Sequence, residues 1–244
     1  MLNINETLFG NAPVILVAGH AGLNIPKNMP DNKLGSINPR LADLYTDSLV
    51  KSIYELGCKS GNIPDCVLTN IARTKVDVND SPDLAYSGVG QEIYDDFHTR
   101  ISSLIKQSKK IHGWVLILDI HGFAVRDSHP ALLGDVILGT VNGLTMPTDG
   151  INYCNRVQFM HFLRTKGWVV YPNGIEAETI FQGGYIIRRH SKPGELIFGI
   201  QIEISSLIRK DEVKRHEFAE SINEWIQFLC MTGSQREHRL GNLH

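Results

Sequence analysis

The stretch "VILVAGHAG", Val14 to Gly22, is core material that ends in an imidazole. Val14 to Ala18 is a short, unbroken apolar run, the pattern of a strand covered on both faces. His20 follows at its carboxyl end, and Gly22 lets backbone or substrate come close. A second stretch repeats the design: "WVLILDIHG", Trp114 to Gly122, runs through apolar residues to Asp119, His121 and a glycine. In open α/β sheets ligands bind outside the carboxyl ends of the strands, and both histidines stand at such ends.

Around these two runs, short apolar segments alternate with longer segments of helical period. Strands are expected at Val14–Ala18, Cys66–Asn70, Trp114–Asp119, Val136–Gly139, Trp168–Tyr171, Gly184–Ile187 and Ile197–Ile204. Helices are expected at Pro39–Leu56, Gly90–Gln107, Ile151–Lys166 and Asp211–Leu229. The alternation predicts an α/β fold, with helices on both faces of a mainly parallel sheet. The 244 residues, 42% of them hydrophobic, suffice for one sizeable core. One domain is expected over residues 1–232, with a frayed tail over 233–244. Asn24–Pro39 and Thr140–Gly150 read as loops, the second a candidate lid.

The formal net charge is −2 and no basic stripe stands out, which argues against a nucleic-acid partner. No segment approaches the roughly 20 apolar residues that span a bilayer, so no membrane partner is expected either. Cys58, Cys66, Cys154 and Cys230 form no C-x-x-C pair, which excludes a zinc ribbon or a dithiol motif. Isolated cysteines and the lack of a leader pattern lead to the expectation of a soluble, cytoplasmic protein.

Either histidine alone reads as a structural residue satisfied by backbone carbonyls. Together, with Asp119 on the same side of the second strand, they point to a metal site. A catalytic zinc needs a third protein ligand and an open position. Asp47, in "RLADLYTDSLVKSIYEL", lies at the margin of an apolar helical face, although a partly exposed acid fits there equally well. In "IFGIQIEIS", Phe198, Ile200, Ile202 and Ile204 alternate with Gly199, Gln201, Glu203 and Ser205. A half-solvated strand alternates in this way; the functional alternative is that Glu203 reaches into the site as a general base. Arg73, in "IARTKVDVND", and Arg188 and Arg189, in "GGYIIRRHS", have the planar fork that binds a substrate carboxylate.

Taken in order, the elements H-x-G, a helical Asp, R-x-x-V-D-x-N, D-x-H-G, G-G-Y…R-x-H and Q-x-E resemble the N-formylglutamate amidohydrolases. Here they are His20-Ala21-Gly22 with Pro26, Thr46-Asp47, Arg73 to Asn79, Asp119 to Gly122, Gly183 to His190, and Gln201 to Glu203. The resemblance spans Pro13 to Ser205. It implies a three-layer α/β/α sandwich around a mixed, largely parallel sheet, as in zinc-dependent exopeptidases and aspartoacylase-like enzymes. It also implies Zn2+, or another divalent metal, held by His20, Asp47 and His121, with Glu203 as base. His190 would stabilise the oxyanion or touch substrate. Arg73 and Asn79, with Arg188 and Arg189, would bind an acidic small-molecule substrate, and Asp77, Asp119, Gly183 and Gly184 would support them. The implied reaction is hydrolysis of the amide of an N-acyl acidic amino acid such as N-formylglutamate.

Two positions depart from the pattern. Leu23 stands where the wider exopeptidase group places a ligating glutamate, so that ligand must come from elsewhere. Asp80 stands where the family commonly has an arginine after V-D-x-N, which reverses a charge near the expected substrate carboxylate. Three alternatives remain open: a catalytically silent relative that binds an acidic small molecule, a zinc carboxypeptidase-like hydrolase of another substrate, and a nucleoside-phosphorylase-like enzyme. The last needs a phosphate site, and no glycine-rich cradle precedes a helix to supply one.

Overall fold

In the computed structural model, which describes residues 4–33, 42–126, 128–150 and 154–231, seven strands join in one mixed sheet. They are β1 (Asn5–Leu8), β2 (Val14–Ala18), β3 (Asp65–Thr69), β4 (Val115–Phe123), β5 (Val136–Gly139), β6 (Val170–Tyr171) and β7 (Ile197–Ser205), in the order β1-β3-β2-β4-β7-β5-β6. The central block β3-β2-β4-β7 is parallel. β1 pairs antiparallel with β3, and β5, which carries β6 parallel beside it, pairs antiparallel with β7.

The helices are α1 (Thr46–Ser60), α2 (Pro82–Ala85), α3 (Gly90–His112), α4 (Arg156–Thr165), α5 (Tyr185–His190), α6 (Ser206–Lys210) and α7 (Glu212–Cys230). One face of the sheet presents Val14, Leu16, Leu116, Leu118, Ile200 and Ile202 to Leu49 and Ile53 of α1, Phe159 and Leu163 of α4, and Phe218 and Ile222 of α7. The other presents Ile15, Val17, Val115, Ile117 and Ile197 to Tyr94, Phe97 and Ile101 of α3 and Ile186 of α5. Period-two strands buried on both faces and period-3.6 helices thus build the expected three layers.

Local chemistry sets the ends of several helices. The backbone N–H of Gly113, at φ 78°, closes α3 on the Lys109 carbonyl. Asn155 caps α4 by accepting from the Gln158 N–H, and Asp211 caps α7 by accepting from Val213 and Lys214.

The structure corrects several expected elements. Gly184–Ile187 is not a strand: Gly184 precedes α5, and Ile186 and Ile187 bury in a helix too short to show its period. β1 is a four-residue edge strand with no apolar pattern to reveal it. β4 runs on to Phe123, which puts His121 inside the strand rather than beyond it. α1 begins at Thr46, not Pro39, because Tyr45 at φ 69° breaks the helical path. Residues 34–41, 151–153 and the expected tail lie outside the described residues. No helix among the described residues is long and apolar enough to cross a membrane. Cys58, Cys66, Cys154 and Cys230 form no disulfide with one another.

Candidate active site

The sheet face under α3 and α5 changes character along its strands. Toward the amino ends it carries Ile15 and Val17, Val115 and Ile117, and Ile197. Toward the carboxyl ends the same face of β4 and β7 carries Asp119 and His121, then Gln201 and Glu203. The parallel register sets His121 beside Glu203 and Asp119 beside Gln201. All four are buried. The alternation in "IFGIQIEIS" is therefore not that of a half-solvated strand, because the segment around α5 covers its polar face: the Gly184 N–H seats on Gln201, and Ile187 packs over Gly199.

His20, two residues past β2, brings its ring to 4.5 Å from that of His121, edge to face. Asp43 joins them. Its Oδ2 lies 3.0 Å from His121 Nδ1 and 3.5 Å from His20 Nδ1. Among the described residues, His20, Asp43 and His121 are the His/Asp set whose ligating atoms can all lie within 4.8 Å of one another. Each ring has its second nitrogen engaged. His20 Nε2 is 2.7 Å from Asp77 Oδ1, and Arg73 donates from Nε and Nη2 to the other Asp77 oxygen at 3.2 and 3.0 Å. His121 Nε2 is 3.2 Å from Asp119 Oδ1, with Asn79 Nδ2 3.1 Å away. A carboxylate behind each imidazole fixes the ring and raises its basicity, the arrangement that metal-binding histidines need.

The electrostatics follow from this packing. Burial works against the His121 imidazolium, but Asp119, Asp43 and Glu203 outweigh it and hold its pKa well above the usual histidine value. Burial likewise works against the charged Asp43, yet His121 and His20 bring its carboxyl far below the carboxylate range. Asp77 is pulled down in the same way by His20 and Arg73. An imidazolium at His121 donates from Nδ1 to Asp43, so its extra proton occupies a place that a cation can take. Glu203 is different. Burial pushes its pKa up to about 7, His121 opposing and Asp43 adding to the rise. Gln201 Nε2 donates to Glu203 Oε1 at 2.8 Å, and Gln201 accepts from the Gly184 N–H. Glu203 is thus oriented by its own strand neighbour and holds a proton near neutrality, as a general acid–base group must.

The structure separates the expected residues. It brings together His20, His121, Asp77, Asn79, Asp119, Glu203 and, through Asp77, Arg73. Asn79 also ties α5 to the site by accepting from the Ile186 N–H at 2.8 Å. Gly184 packs so tightly on Asn79 that a Cβ there would lie 2.1 Å from its amide. Gly183, at φ 131°, turns the chain into α5.

Asp47 is the main correction. It sits half-buried in the first turn of α1 and lines a cavity of about 300 Å³ with Glu6, Lys51 and Asn70; the carboxylate between the two imidazoles is that of Asp43. His190 is also elsewhere. It meets His98 of α3, with Nε2 2.9 Å from His98 Nδ1. Burial lowers its pKa to about 4. Arg189 lies over the Tyr94 and Tyr185 rings, and exposed Arg188 donates to the Gly183 carbonyl at 3.0 Å. Asp80 accepts from the Ser81 N–H at 2.8 Å. Leu23 is exposed.

Sequence reasoning missed two contributors. Asp43 lies in "RLADLYTD", four residues before the acid that was favoured, and helical period could not choose between them. Arg209, on α6, donates to the carbonyls of Ile204 and Phe123 at 3.0 and 3.2 Å and to that of Leu44, next to Asp43. It packs under Gly122, where a Cβ would lie 2.2 Å from its guanidinium carbon. Only the glycine after His121 hinted at that close approach.

The family model for N-formylglutamate amidohydrolase matches residues 88–208. In structure the chain is similar to an N-formylglutamate amidohydrolase from Ralstonia eutropha, at 16% identity and a TM-score of 0.70, over 93% of this chain and 98% of that one. It is also similar to a gene product of Agrobacterium tumefaciens, at 15% identity and a TM-score of 0.61, over 92% of this chain and 93% of that one. At such identities the likeness is one of fold. No curated protein matches the sequence.

Proposed function

We propose that this chain, which belongs to the N-formylglutamate amidohydrolase family, hydrolyses the amide of an N-acyl acidic amino acid at the His20–Asp43–His121 cluster, with N-formylglutamate the first substrate to try. The observation that carries this reading is the pair of imidazole Nδ1 atoms converging on one carboxylate oxygen, each ring backed by a carboxylate at its other nitrogen.

That donor set fits a divalent cation, zinc above all: two imidazoles and one carboxylate as ligands, with carboxylates behind the rings. When bound, such a cation supplies Lewis-acid polarisation of a carbonyl and lowers the pKa of water. The remaining work falls to the chain. Glu203, one strand from His121, takes the proton of the attacking water and returns it to the departing nitrogen. Its burial and its place beside His121 suit it to both transfers. Gln201 keeps the carboxylate aimed. Arg73 gives Nε and Nη2 to Asp77, and its Nη1 takes no protein acceptor among the described residues, so a substrate carboxylate can use it. His190 and Arg189, paired elsewhere, are not assigned a part in the reaction.

The test is elemental analysis of the purified protein together with hydrolysis of N-formylglutamate by wild type and Glu203→Gln. The expected result is one equivalent of divalent metal in both proteins and a loss of about 10²–10⁴ in kcat for the variant. Full activity in Glu203→Gln, or hydrolysis undiminished after metal is stripped, would falsify the reading.

A further inference from the structure

Next to Glu203, on the far side from Arg73, the sheet changes from polar to apolar. In the antiparallel pairing of β5 with β7, Ile137 stands directly opposite Glu203, and in the pairing of β5 with β6 it stands beside Tyr171. Paired residues project to the same face, so Ile137 and Tyr171 share the face of Glu203, with Ile137 about 5 Å along the sheet from it. Phe123 is on that face too, opposite Ser205. Phe123, Ala131 and Ile137, with Leu132, Tyr171 and Ile180 packed against them, form an apolar cluster separate from both main cores.

A cavity of about 220 Å³ opens into this cluster, over Ala131, Ile137, Tyr171, Pro172 and Ile180, with His129 at its edge. Two of its polar groups, Glu178 and His129, are engaged by the protein, and the exposed Glu176 also lines it. Glu178 accepts from Arg156 Nη1 at 3.0 Å and from the backbone N–H groups of Thr140 and Asn142 at 2.9 and 2.8 Å. His129 meets Thr179 Oγ1 through Nε2 at 3.2 Å and accepts from the Ala131 N–H through Nδ1 at 3.1 Å. Apart from Glu176 and the Tyr171 hydroxyl, what remains to greet a ligand is apolar surface. The wall is also held in place. Phe181, an exposed aromatic residue at φ 48°, lies with its ring 6.2 Å from that of Phe123. Its carbonyl seats on Gly139, where a Cβ would lie 2.2 Å away. Strained backbone beside a site persists only where the surroundings enforce it.

We infer that this cavity is an acyl subsite, and that the chain prefers N-acyl amino acids whose acyl group is an apolar chain of about four to six carbons. The inference rests on the hydrolase reading above and deepens it. With the scissile amide at the His20–Asp43–His121 cluster and the acidic end at Arg73, the acyl end points across Glu203 toward Ile137. The cavity holds about seven water volumes, room for a short chain and far more than a formyl group requires.

The test measures binding of N-formyl-, N-acetyl-, N-butyryl- and N-hexanoyl-L-glutamate by calorimetry to zinc-loaded Glu203→Gln protein, and hydrolysis of the same series by wild type. Affinity is expected to tighten by about fourfold per added methylene, the gain from burying a CH₂. Ala131→Leu, which fills the cavity, and Thr179→Trp, which narrows its mouth from an exposed position, should each lower the hexanoyl-to-formyl affinity ratio at least about tenfold. Affinity that is flat or falls with chain length overturns the subsite, as does a length dependence that survives in both variants. Length-dependent binding without hydrolysis of any compound leaves the subsite standing and removes the hydrolase reading. Hydrolysis of the formyl compound without length dependence does the reverse.

Discussion

Asp43 Oδ2 stands 3.0 Å from His121 Nδ1, although 78 residues separate them in the chain. The Gly122 N–H reaches the same oxygen at 3.2 Å, and the Asp43 N–H donates to the His20 carbonyl at 2.9 Å. Asp43 is therefore held by both histidine-bearing segments. Asp43→Ala should abolish stoichiometric zinc binding and lower kcat/KM by at least about 100-fold, while Asp47→Asn should keep its metal. Elemental analysis and steady-state kinetics on the two variants check this; loss of metal in Asp47→Asn but not in Asp43→Ala contradicts the assignment.

Asp77 does for His20 what Asp119 does for His121. Removing such a partner leaves the ligand in place but frees its ring. Asp77→Asn should weaken zinc affinity by about 10–100-fold without abolishing binding. Competition against a zinc chelator measures it, and an unchanged affinity would show that Asp77 serves the loop alone.

Glu203 should titrate near pH 7 in the metal-free protein, because burial penalises its charge. A divalent cation at the neighbouring cluster favours the ionised carboxylate, so its pKa should fall when zinc is added. Infrared difference spectra of the carboxyl band, with Glu203→Gln as reference, follow both steps. A band that titrates below pH 5 without metal is the contrary outcome.

His98 and His190 are held neutral by burial, with pKa values of about 3 and about 4. Both lie below the unfolded value of about 6.5, so the unfolded chain binds more protons as pH falls through that value. Stability from this pair is complete above about pH 6.5 and is lost as pH drops toward 4. His190 alone accounts for about 3 kcal/mol of that loss by pH 4. Urea midpoints between pH 4.5 and 6.5 should fall steeply in wild type and less so in His190→Gln. Equal slopes would show that the histidines are already charged in the folded state.

Gly122 has Arg209 beneath it, and Arg209 in turn holds the Leu44 carbonyl. Gly122→Ala forces that guanidinium aside, at a cost of about 1–3 kcal/mol. A fall of about 5 °C in Tm is expected. Zinc affinity should fall with it, because the same arginine positions the backbone beside Asp43. A Tm within 1 °C of wild type, on the scale of about 2–4 °C per kcal/mol, would mean that Arg209 moves at no cost.

Much of the site can be read along the chain. "VILVAGHAG" and "WVLILDIHG" specify two buried parallel strands that carry the histidines toward their carboxyl ends, because an unbroken apolar run has few other folds open to it. Asp119 falls on the side of His121 by the strand's period of two, and Glu203 on the side of Gln201 by the same rule. These are local regularities, and they survive folding unchanged.

What periodicity could not decide is which side chains from different segments meet. The third member of the cluster depended on Tyr45 leaving helical geometry, which starts α1 only at Thr46 and frees Asp43 to turn inward. The face of β7 that carries Gln201 and Glu203 is buried because the segment around α5 packs over it. His190 belongs to His98 because α5 packs against α3. Each of these rests on contacts between residues well separated in the chain. A hydrophobic pattern records the burial of each segment, whereas the meeting of side chains is set by strand register and loop path, which only the packed chain settles.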